Sequence, residues 1–561
     1  MILLVTILIP LLAALAVALA PETRAKSIAM LGTCVALVLG GYLALQFPWD
    51  HAGEFHLGGE KAIEWLPSLG ISLSLGVDGV ALLLILLTLL LGPICVAASS
   101  TAITSRRRSY YAWLLVLQAA MTGVFAARDI VVFYVCFEFT LVPMFVLISL
   151  WGSTNRKRAA VKFFLYTFTG SVLALAAIVY VAAVNAAIDP ASLTSLERGL
   201  HPEAGRWSFS IDALTFAAGH LSSAEQALVM AGLMLGFAVK VPLFPFHTWL
   251  PLAHTEAPTA GSVILAGVLL KLGTYGIYRF VFAFAPMAVV EYAPLVALVC
   301  IVGILYGGLI CWVQTDVKKL VAYSSVAHLG FCVLGMFALN GAGLTGSIFY
   351  MINHGLSTGA LFLLIGMIYE RYHTRSMKEL GGLAAKMPIW STFMVFFTMA
   401  SVGLPGLNGF VSEFLCLLGA FQASSAWGSG LWGSAGAMKG ATLGELGPWY
   451  ALIAGVGMVI GAIYLLYMVG RIVWGKLVEP HAHHDGHDAH APVLPKDLCT
   501  REIALLLPLA ALCIGLGVYP KPVLQALEEP VRFSLRGIDD VRAARPVAAT
   551  PIEAARVEVT P

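Results

Sequence analysis

Residues 236–256 of the chain read GFAVKVPLFPFHTWLPLAHTE, and this stretch decides how the fold is built. It lies inside an apolar run over residues 223–255. As a single helix the run would be roughly 50 Å long, whereas the hydrocarbon core of a bilayer is about 30 Å thick. Pro242 and Pro245 each remove a backbone donor and interrupt a helix. The stretch therefore predicts a membrane-spanning helix that is broken near its middle.

The rest of the chain is also strongly apolar. Of 561 residues, 59% are hydrophobic and only 11% are charged, against roughly 25% charged in an ordinary soluble domain. This composition excludes a soluble enzyme and predicts an all-α polytopic membrane protein. The formal charge of +2 gives no basic excess, so nucleic acid is not expected as a partner. The nine cysteines include no C-x-x-C pair, which argues against an iron–sulfur cluster or a zinc site.

Apolar runs and their polar punctuation predict about fourteen spans. Their approximate bounds are 2–20, 27–47, 79–98, 110–127, 129–150, 160–187, 223–255, 260–283, 293–314, 317–338, 345–370, 387–423, 447–474 and 502–519. The twelfth run is again too long for one helix, and it contains Pro405 in the sequence GLPGLNGFVSEF. It predicts a second broken helix of the same kind.

The two broken helices lie five spans apart, which predicts an internal repeat. If spans 4–8 and 9–13 form two groups, each broken helix is the fourth of five. Because five is odd, the second group is inverted in the membrane, as in inverted-repeat transporters. The predicted units are an N-terminal three-helix segment (1–109), two repeats (110–283 and 293–474), a His-rich loop (475–501), a last helix (502–519) and a polar C-terminal tail (520–561).

Basic residues are unequally shared between the two sets of loops. Loops after odd-numbered spans hold 19, and loops after even-numbered spans hold 5 when the tail is left out. The larger set is Arg24, Lys26, Arg106, Arg107, Arg108, Arg156, Lys157, Arg158, Lys162, Lys318, Lys319, Arg371, Arg375, Lys378, Lys386, Arg471, Lys476, Lys496 and Arg501, and the smaller set is Lys61, Arg128, Arg198, Arg206 and Lys439. By the positive-inside rule, both termini should face outward.

Six ionisable residues fall at bilayer depth, where each charge costs at least a few kcal/mol. They are Glu138, Lys240, Lys271, His328, His354 and Glu413. Burial lowers the pKa of lysine side chains and raises that of glutamate side chains, so both approach the range in which protons move easily, where histidine already lies. The row predicts a proton relay. The alternative is that each group is a buried polar residue satisfied by a neighbour, Glu138 by Lys240 for example, and only holds helices together.

Residues around the two breaks are candidates for supporting roles. Carbonyls freed by the break at Pro242 are expected to solvate the Lys240 ammonium. For His247, Trp249 and His254, a role beside the relay or in a water channel and a simple packing role both remain open. Pro245 and Pro405 are expected to maintain the breaks.

Three other features are interpreted more simply. The stretch from His481 to His490 reads HAHHDGHDAH; a solvated loop is favoured over a metal site. Arg106, Arg107 and Arg108 are expected only to set topology. Asp78 is expected to begin a helix.

Several stretches resemble the antiporter-like membrane subunits of proton-pumping NADH:quinone oxidoreductase, respiratory complex I, in particular the NuoM type. They are FEFTLVPMF with Glu138, the stretch from Gly236 to Gly276 with Lys240 and Lys271, TDVKKLVAYSSVAHLGF with His328, NHGLSTGALFLLIGMIYER with His354 and GLPGLNGFVSEF with Glu413. The resemblance covers nearly the whole chain except the His-rich loop and the last forty or so residues. Glu413 favours the NuoM type, because related L-type, N-type and Mrp antiporter subunits usually have lysine there.

The resemblance implies fourteen helices with two inverted repeats and a proton-translocating role driven by redox chemistry elsewhere. It implies that FMN, iron–sulfur clusters and quinone belong to other subunits, with no cofactor in this chain. The implied partners are L-type and N-type subunits and lipids, in a bacterial inner membrane with both termini periplasmic. Two alternatives remain: a component of an Mrp-type cation/proton antiporter, and a structural scaffold whose charges only pin helices.

Overall fold

The computed structural model describes residues 2–58, 62–423, 446–480 and 496–544. The predicted loop His481–His490, the basic residues Lys61 and Lys439, and the tail beyond residue 544 lie outside the described residues. The helices in chain order are α1 Ile2–Leu19, α2 Glu22–Gln46, α3 Gly79–Ala102, α4 Arg107–Ala126, α5 Ile130–Phe139, α6 Leu141–Trp151, α7 Arg156–Ala187, α8 Ser195–Leu200, α9 Ile211–Ala218, α10 Ser223–Lys240, α11 Leu250–Glu256, α12 Thr259–Phe284, α13 Pro286–Trp312, α14 Val317–Phe337, α15 Gly341–Tyr372, α16 Pro388–Val402, α17 Asn408–Gln422, α18 Pro448–Ile472, α19 Thr500–Val518 and α20 Lys521–Ala544.

Twelve helical segments of the described residues are long and apolar enough to cross a membrane. They are α1 to α4, α5 together with α6, α7, α12 to α15, α18 and α19. Together with the family comparison reported below, this confirms an all-α polytopic membrane protein. The pairs α10–α11 and α16–α17 occupy the positions of the two predicted broken helices. Counting each pair as one span gives the predicted fourteen; that number and the inverted repeats stay predictions.

Hydrogen bonds between loops follow the alternation of the spans. After odd-numbered spans, Trp151 donates to the Ser105 carbonyl and Arg371 to Glu502. After even-numbered spans, Arg128 donates to Asp212 across the opposite end of the molecule. We call the end that carries the loops after odd-numbered spans the basic side, and the other end the opposite side.

The centre of the bundle is formed by α12, α14 and α15. The most apolar windows of α12 and α15 are completely buried and that of α14 is 94% buried, whereas in α1, α2, α18 and α19 only 33% is buried. A helix that is buried all round leaves no face for lipid, so polar groups on it must find partners within the protein. The central helices are therefore the ones on which buried ionisable groups can be positioned.

The opposite side carries two elements that the sequence analysis missed. A two-stranded antiparallel hairpin, β1 Ile63–Leu66 and β2 Ile71–Leu73, lies between α2 and α3. The segment treated above only as a polar tail forms the amphipathic helix α20 over Lys521–Ala544. Its buried face is Leu527, Pro530, Val531, Leu535 and Ile538. Apolar residues at this helical spacing, interleaved with charges, were the available signal.

Candidate functional site

Five of the six predicted relay residues are buried on or beside the central helices. Lys271 on α12, His328 on α14, His354 on α15, Glu413 on α17 and Lys240 at the end of α10 are all 7% exposed or less. Glu138 lies on α5 and is half-buried. The bundle therefore places all six within the protein. Two pairs are in direct contact, Lys271 with His354 and His328 with Glu413.

Lys240 lies against a second helix interruption that the sequence analysis did not predict. The predicted span 129–150 is divided at Thr140, where α5 ends and α6 begins. The Lys240 ammonium is 3.4 Å from both the Phe137 carbonyl oxygen and Thr140 Oγ1, and 4.1 Å from the Phe137 ring centroid. The expectation that carbonyls of its own broken helix solvate Lys240 is therefore wrong, because its ammonium bonds the Phe137 carbonyl of α5 and the Thr140 hydroxyl at the break between α5 and α6.

Glu138 is a neighbour of Lys240 without forming an ion pair with it. The two side chains are close enough for a Coulomb interaction, but among the described residues no ion pair within 4.0 Å joins them. Both carboxylate oxygens of Glu138 are buried and form no hydrogen bond within 3.5 Å, and the Ser171 side chain is the polar group that interacts with the carboxylate. A pair that merely pinned helices would satisfy its oxygens, since an unpaired buried carboxylate is costly. The geometry leaves Glu138 free to form contacts in another state.

The first broken helix is held open by Trp249. Its indole Nε1 donates to the Val239 carbonyl at 2.9 Å, and that carbonyl belongs to the last turn of α10, where helical partners run out. Pro242 and Pro245 lie between α10 and the short helical turn that precedes α11. The Trp249 indole therefore occupies a backbone acceptor freed by the break.

The two histidines of this broken helix are less fully bonded. His247 packs beside Phe244, with ring centroids 5.9 Å apart, and its Nδ1 has no hydrogen-bond partner. His254 is fully buried and stacks on Phe362 at 4.6 Å, and both of its ring nitrogens lack a hydrogen-bond partner. Hydrogen bonding within the protein therefore does not account for the burial of either imidazole ring.

Lys271 is bound at a widened helical turn. Within α12, residues Leu265–Leu269 and Ile277–Val281 are π-helical; the first stretch ends two residues before Lys271 and the second begins six residues after it. Such turns disturb the regular hydrogen-bond ladder and are frequent at functional sites. The Lys271 ammonium donates to the Ala266 carbonyl of the first of them.

Lys271 is also joined to the next helix through His354. Its Nζ lies 2.7 Å from His354 Nδ1. Because a lysine ammonium has donors only, a charged Lys271 requires Nδ1 to accept, which places the proton of neutral His354 on Nε2. That Nε2 is buried and has no hydrogen-bond partner.

His328, Tyr350 and Glu413 form a second connected group. The Tyr350 hydroxyl donates to Glu413 Oε1 at 2.6 Å and lies 2.5 Å from His328 Nδ1. His328 Nδ1 and Glu413 Oε1 are themselves 3.3 Å apart. Tyr350 was not singled out from the sequence, because a tyrosine in an apolar run carries no local signal.

A small polar cavity separates the two groups. It is lined by His328, Tyr350, Asn353, His354 and Glu413 among others and has about 10 Å³ for the centre of a water molecule, close to the minimum that holds one water. The His328 and His354 ring centroids are 5.9 Å apart. Both rings line the cavity and the Nε2 of each lacks a partner, which makes a single water the simplest bridge between the two groups.

Glu413 owes its position to the second helix break. Between α16 and α17 the chain passes through Gly403, whose φ is 84°, and then through Pro405. A Cβ on Gly403 would lie 2.6 Å from Glu413 Oε2, so only glycine fits. Asn353 donates to the Asn408 carbonyl at 2.8 Å and fixes the start of α17 against α15.

One lysine assigned above to topology is buried instead. Lys318 is 7% exposed, and its Nζ donates to the Ala257 carbonyl at 2.6 Å, just past the end of α11. Its neighbour Lys319 is exposed. Two adjacent lysines at a helix start point in different directions, and their sequence alone does not say which faces inward.

The chain is similar to known membrane subunits of NADH:quinone oxidoreductases. The transmembrane family described as NADH:quinone oxidoreductase/Mrp antiporter matches residues 127–438. The chain is 40% identical to NADH-quinone oxidoreductase subunit M of Rhodobacter capsulatus, over 90% of this chain and 89% of that protein. It is 36% identical to NADH-ubiquinone oxidoreductase chain 4 of Marchantia polymorpha, over 94% of this chain and 95% of that protein.

A solved structure gives the same result for the fold. A chain of respiratory complex I from Thermus thermophilus with bound NADH superposes with a TM-score of 0.78 at 27% identity, covering 96% of this chain and 100% of that one. The matched span of the family contains all six of the predicted relay residues.

Proposed function

The chain belongs to the NADH:quinone oxidoreductase/Mrp antiporter transmembrane family, and we propose that it is a proton-translocating membrane subunit of an NADH:quinone oxidoreductase. The observation that carries this proposal is the sequence of bonded, titratable side chains from Lys271 to Glu413 in the core of the bundle. Each of these side chains can give or accept a proton. Neighbouring members lie on different helices and are hydrogen-bonded to each other, except His354 and His328, which are separated by the small cavity.

A proton can cross this sequence by exchange between hydrogen-bonded partners. Lys271 Nζ passes a proton to His354 Nδ1, and His354 releases the proton of its Nε2 to a water in the cavity. The water protonates His328 Nε2, and His328 passes its Nδ1 proton to the Tyr350 oxygen. Tyr350 in turn protonates Glu413. Each step moves one proton along one hydrogen bond. Afterwards the two imidazole rings and the Tyr350 hydroxyl must reorient, which restores the starting tautomers of His354 and His328.

Lys240 and Glu138 form the other titratable group of the relay. An ionised carboxylate nearby favours a charged lysine, and loss of that charge favours its release of a proton. Because Glu138 forms no ion pair with Lys240 in this state, a small movement of the Glu138 side chain changes the Coulomb interaction without breaking the bonds between Lys240 and the end of α5. Redox chemistry in other subunits would drive that movement, and FMN, iron–sulfur clusters and quinone would lie there.

In this proposal the neighbours are the L-type and N-type antiporter-like subunits and membrane lipids. The chain lies in a bacterial inner membrane, with both termini on the periplasmic side. The excess of basic residues in loops after odd-numbered spans supports that orientation.

Two other functions are less well supported. An Mrp-type antiporter component is disfavoured by the glutamate at position 413 and by the names of the relatives above. A scaffold whose charges only join helices is disfavoured by two unbonded atoms, because His328 Nε2 and His354 Nε2 are buried without hydrogen-bond partners. Structural polar groups in a protein core are normally satisfied.

The test is NADH-driven proton uptake into inverted membrane vesicles. Lys271→Ala removes the donor to His354 and should abolish uptake through this chain, while native gels show an assembled complex. The matched control is Lys378→Ala, because Lys378 is an exposed lysine outside the relay. Normal uptake in assembled Lys271→Ala would reject the proposed function.

A further inference from the structure

A cavity on the basic side belongs to none of the groups described so far. It lies between the end of α1, the start of α2 and the start of α4, and its volume is about 450 Å³. Its lining includes Arg106, Arg108, Glu22, Ala18 and Trp113. From the sequence these arginines are expected only to set topology, and the proposed relay does not use them.

Two guanidinium groups line this cavity without a protein partner. Arg106 and Arg108 are exposed, and within the described part of the chain neither side chain forms a hydrogen bond or an ion pair. Arg107, between them, instead donates to the Ile103 carbonyl at 3.1 Å. The alternation leaves two cations on one wall of the cavity. A guanidinium offers paired donors that match phosphate oxygens.

The backbone adds positive potential at the same place. Arg106 precedes the first turn of α4 and has a φ of 52°, and no side chain caps this helix. The first N–H groups of a helix have no intrahelical acceptor, and its dipole is positive at that end. An anion between the two arginines would face these donors.

The remaining lining gives the cavity an amphipathic character. Ala18 near the end of α1 and Trp113 in the second turn of α4 supply apolar surface, and tryptophan is enriched where spans meet the membrane interface. Glu22 places one carboxylate in the same cavity. That charge repels a free phosphate dianion more than a singly charged phosphodiester, and the carboxylate can accept a headgroup hydroxyl.

We propose that this cavity binds the phosphodiester headgroup of an anionic phospholipid, with Arg106 and Arg108 on the phosphate and the acyl chains along the apolar wall. Basic pockets between membrane helices are suited to anionic headgroups. The site is separate from proton transfer and does not rest on the proposed function.

The test is photolabelling of the assembled complex in nanodiscs with a photoactivatable phosphatidylglycerol, followed by mass spectrometry of the peptide that contains Trp113. Arg106→Gln together with Arg108→Gln should lower labelling of this peptide about tenfold, as loss of charge-assisted hydrogen bonds predicts. The matched control is Arg156→Gln with Arg158→Gln. This pair has the same spacing at the start of α7 but does not line the cavity, and it should label normally.

Several outcomes would overturn the proposal. One is equal labelling by a photoactivatable phosphatidylcholine, which would mean that charge does not select the lipid. Another is an equal loss in both double variants, which would indicate a general surface-charge effect. Competition by excess inorganic phosphate would identify a free-anion site instead. Native gels and NADH oxidation establish that each variant complex is intact.

Discussion

Tyr350 donates its hydroxyl hydrogen to Glu413 Oε1 at 2.6 Å, while His328 Nδ1 approaches the same hydroxyl at 2.5 Å. A phenol between an imidazole and a carboxylate both accepts and donates, so it can pass a proton without moving its ring. The direct distance from His328 to Glu413 is longer, 3.3 Å. Tyr350 therefore shortens the path between the two groups that the sequence had identified.

Tyr350→Phe should slow proton uptake about tenfold without abolishing it, because it removes a hydrogen bond to a charged group but leaves the direct His328–Glu413 approach. Uptake is measured in vesicles that oxidise NADH. The control is Tyr110→Phe, since Tyr110 is equally buried and bonds Ser99 at 2.9 Å outside the relay. Equal uptake in the two variants would show that Tyr350 is only a packing residue.

The sequence singles out the six residues of the proposed relay because a charge or a proline within an apolar run is a local signal. Lys240 lies two residues before Pro242, and Glu413 lies eight residues after Pro405 on the helix that follows the second break. Tyr350 carries no such signal. Its partners are 22 and 63 residues away in sequence, so its role depends on how α14, α15 and α17 pack.

The same limit explains the error at Lys240. Its own break offered a plausible acceptor, but Trp249 donates to the Val239 carbonyl there. The ammonium instead faces Phe137 and Thr140, at an interruption just before Pro143, whose missing N–H leaves the Phe139 carbonyl without its helical donor. Which carbonyl is occupied depends on tertiary contacts that no local pattern records.

Lys240→Ala should sharply reduce proton uptake in an assembled complex, and Lys240→Arg should be poor as well, because arginine stays protonated and cannot release its proton. Glu138→Gln should be comparably damaging, since the charge that biases the lysine is removed. Vesicle uptake is compared at matched complex content on native gels. Full uptake in assembled Lys240→Ala would exclude this lysine from the relay.

Asp78→Asn should destabilise the protein by about 3–5 kcal/mol, because it leaves the buried Arg279 guanidinium without its ion-pair partner. Asp78 and Arg279 form this pair with side chains 1% and 9% exposed. Asparagine keeps the helix cap that Asp78 provides to Ala81, so the variant isolates the loss of charge. The measurement is the unfolding midpoint of the purified complex in a thermal scan.

The control for that variant is Arg128→Gln, which breaks the ion pair with Asp212. Those side chains are 34% and 64% exposed, and exposed pairs contribute at most about 1 kcal/mol. The Arg128 variant should melt close to wild type. A midpoint for Asp78→Asn as high as that of the control would mean that the buried pair adds no stability.

A reporter enzyme fused after Pro561 should be active outside the cytoplasm, and one inserted near His484 should report the cytoplasm, because basic residues concentrate in the loops after odd-numbered spans. Activity assays on intact cells distinguish the two sides. Exchanged results at both positions would reverse the orientation, and equal results would contradict the number of spans between them.

Glu413→Gln should largely block proton uptake while leaving the complex assembled. Glutamine keeps the size of the side chain and can still accept from Tyr350, so packing around the break at Gly403 is preserved. It cannot take up a proton at that oxygen, and the relay ends before its last group. Glu413→Ala should block uptake equally and adds a small cavity.

Glu413→Asp distinguishes a titrating role from a purely geometric one. Aspartate keeps the carboxylate but shortens the side chain by one methylene, which lengthens the 2.6 Å approach to Tyr350. The adjoining polar cavity has room for a water, and a bridging water restores a path for the proton. We therefore expect Glu413→Asp to retain much of the uptake that Glu413→Gln loses. If Glu413→Asp fails as completely as Glu413→Ala, or if Glu413→Gln transports normally, Glu413 is not the terminal titrating group.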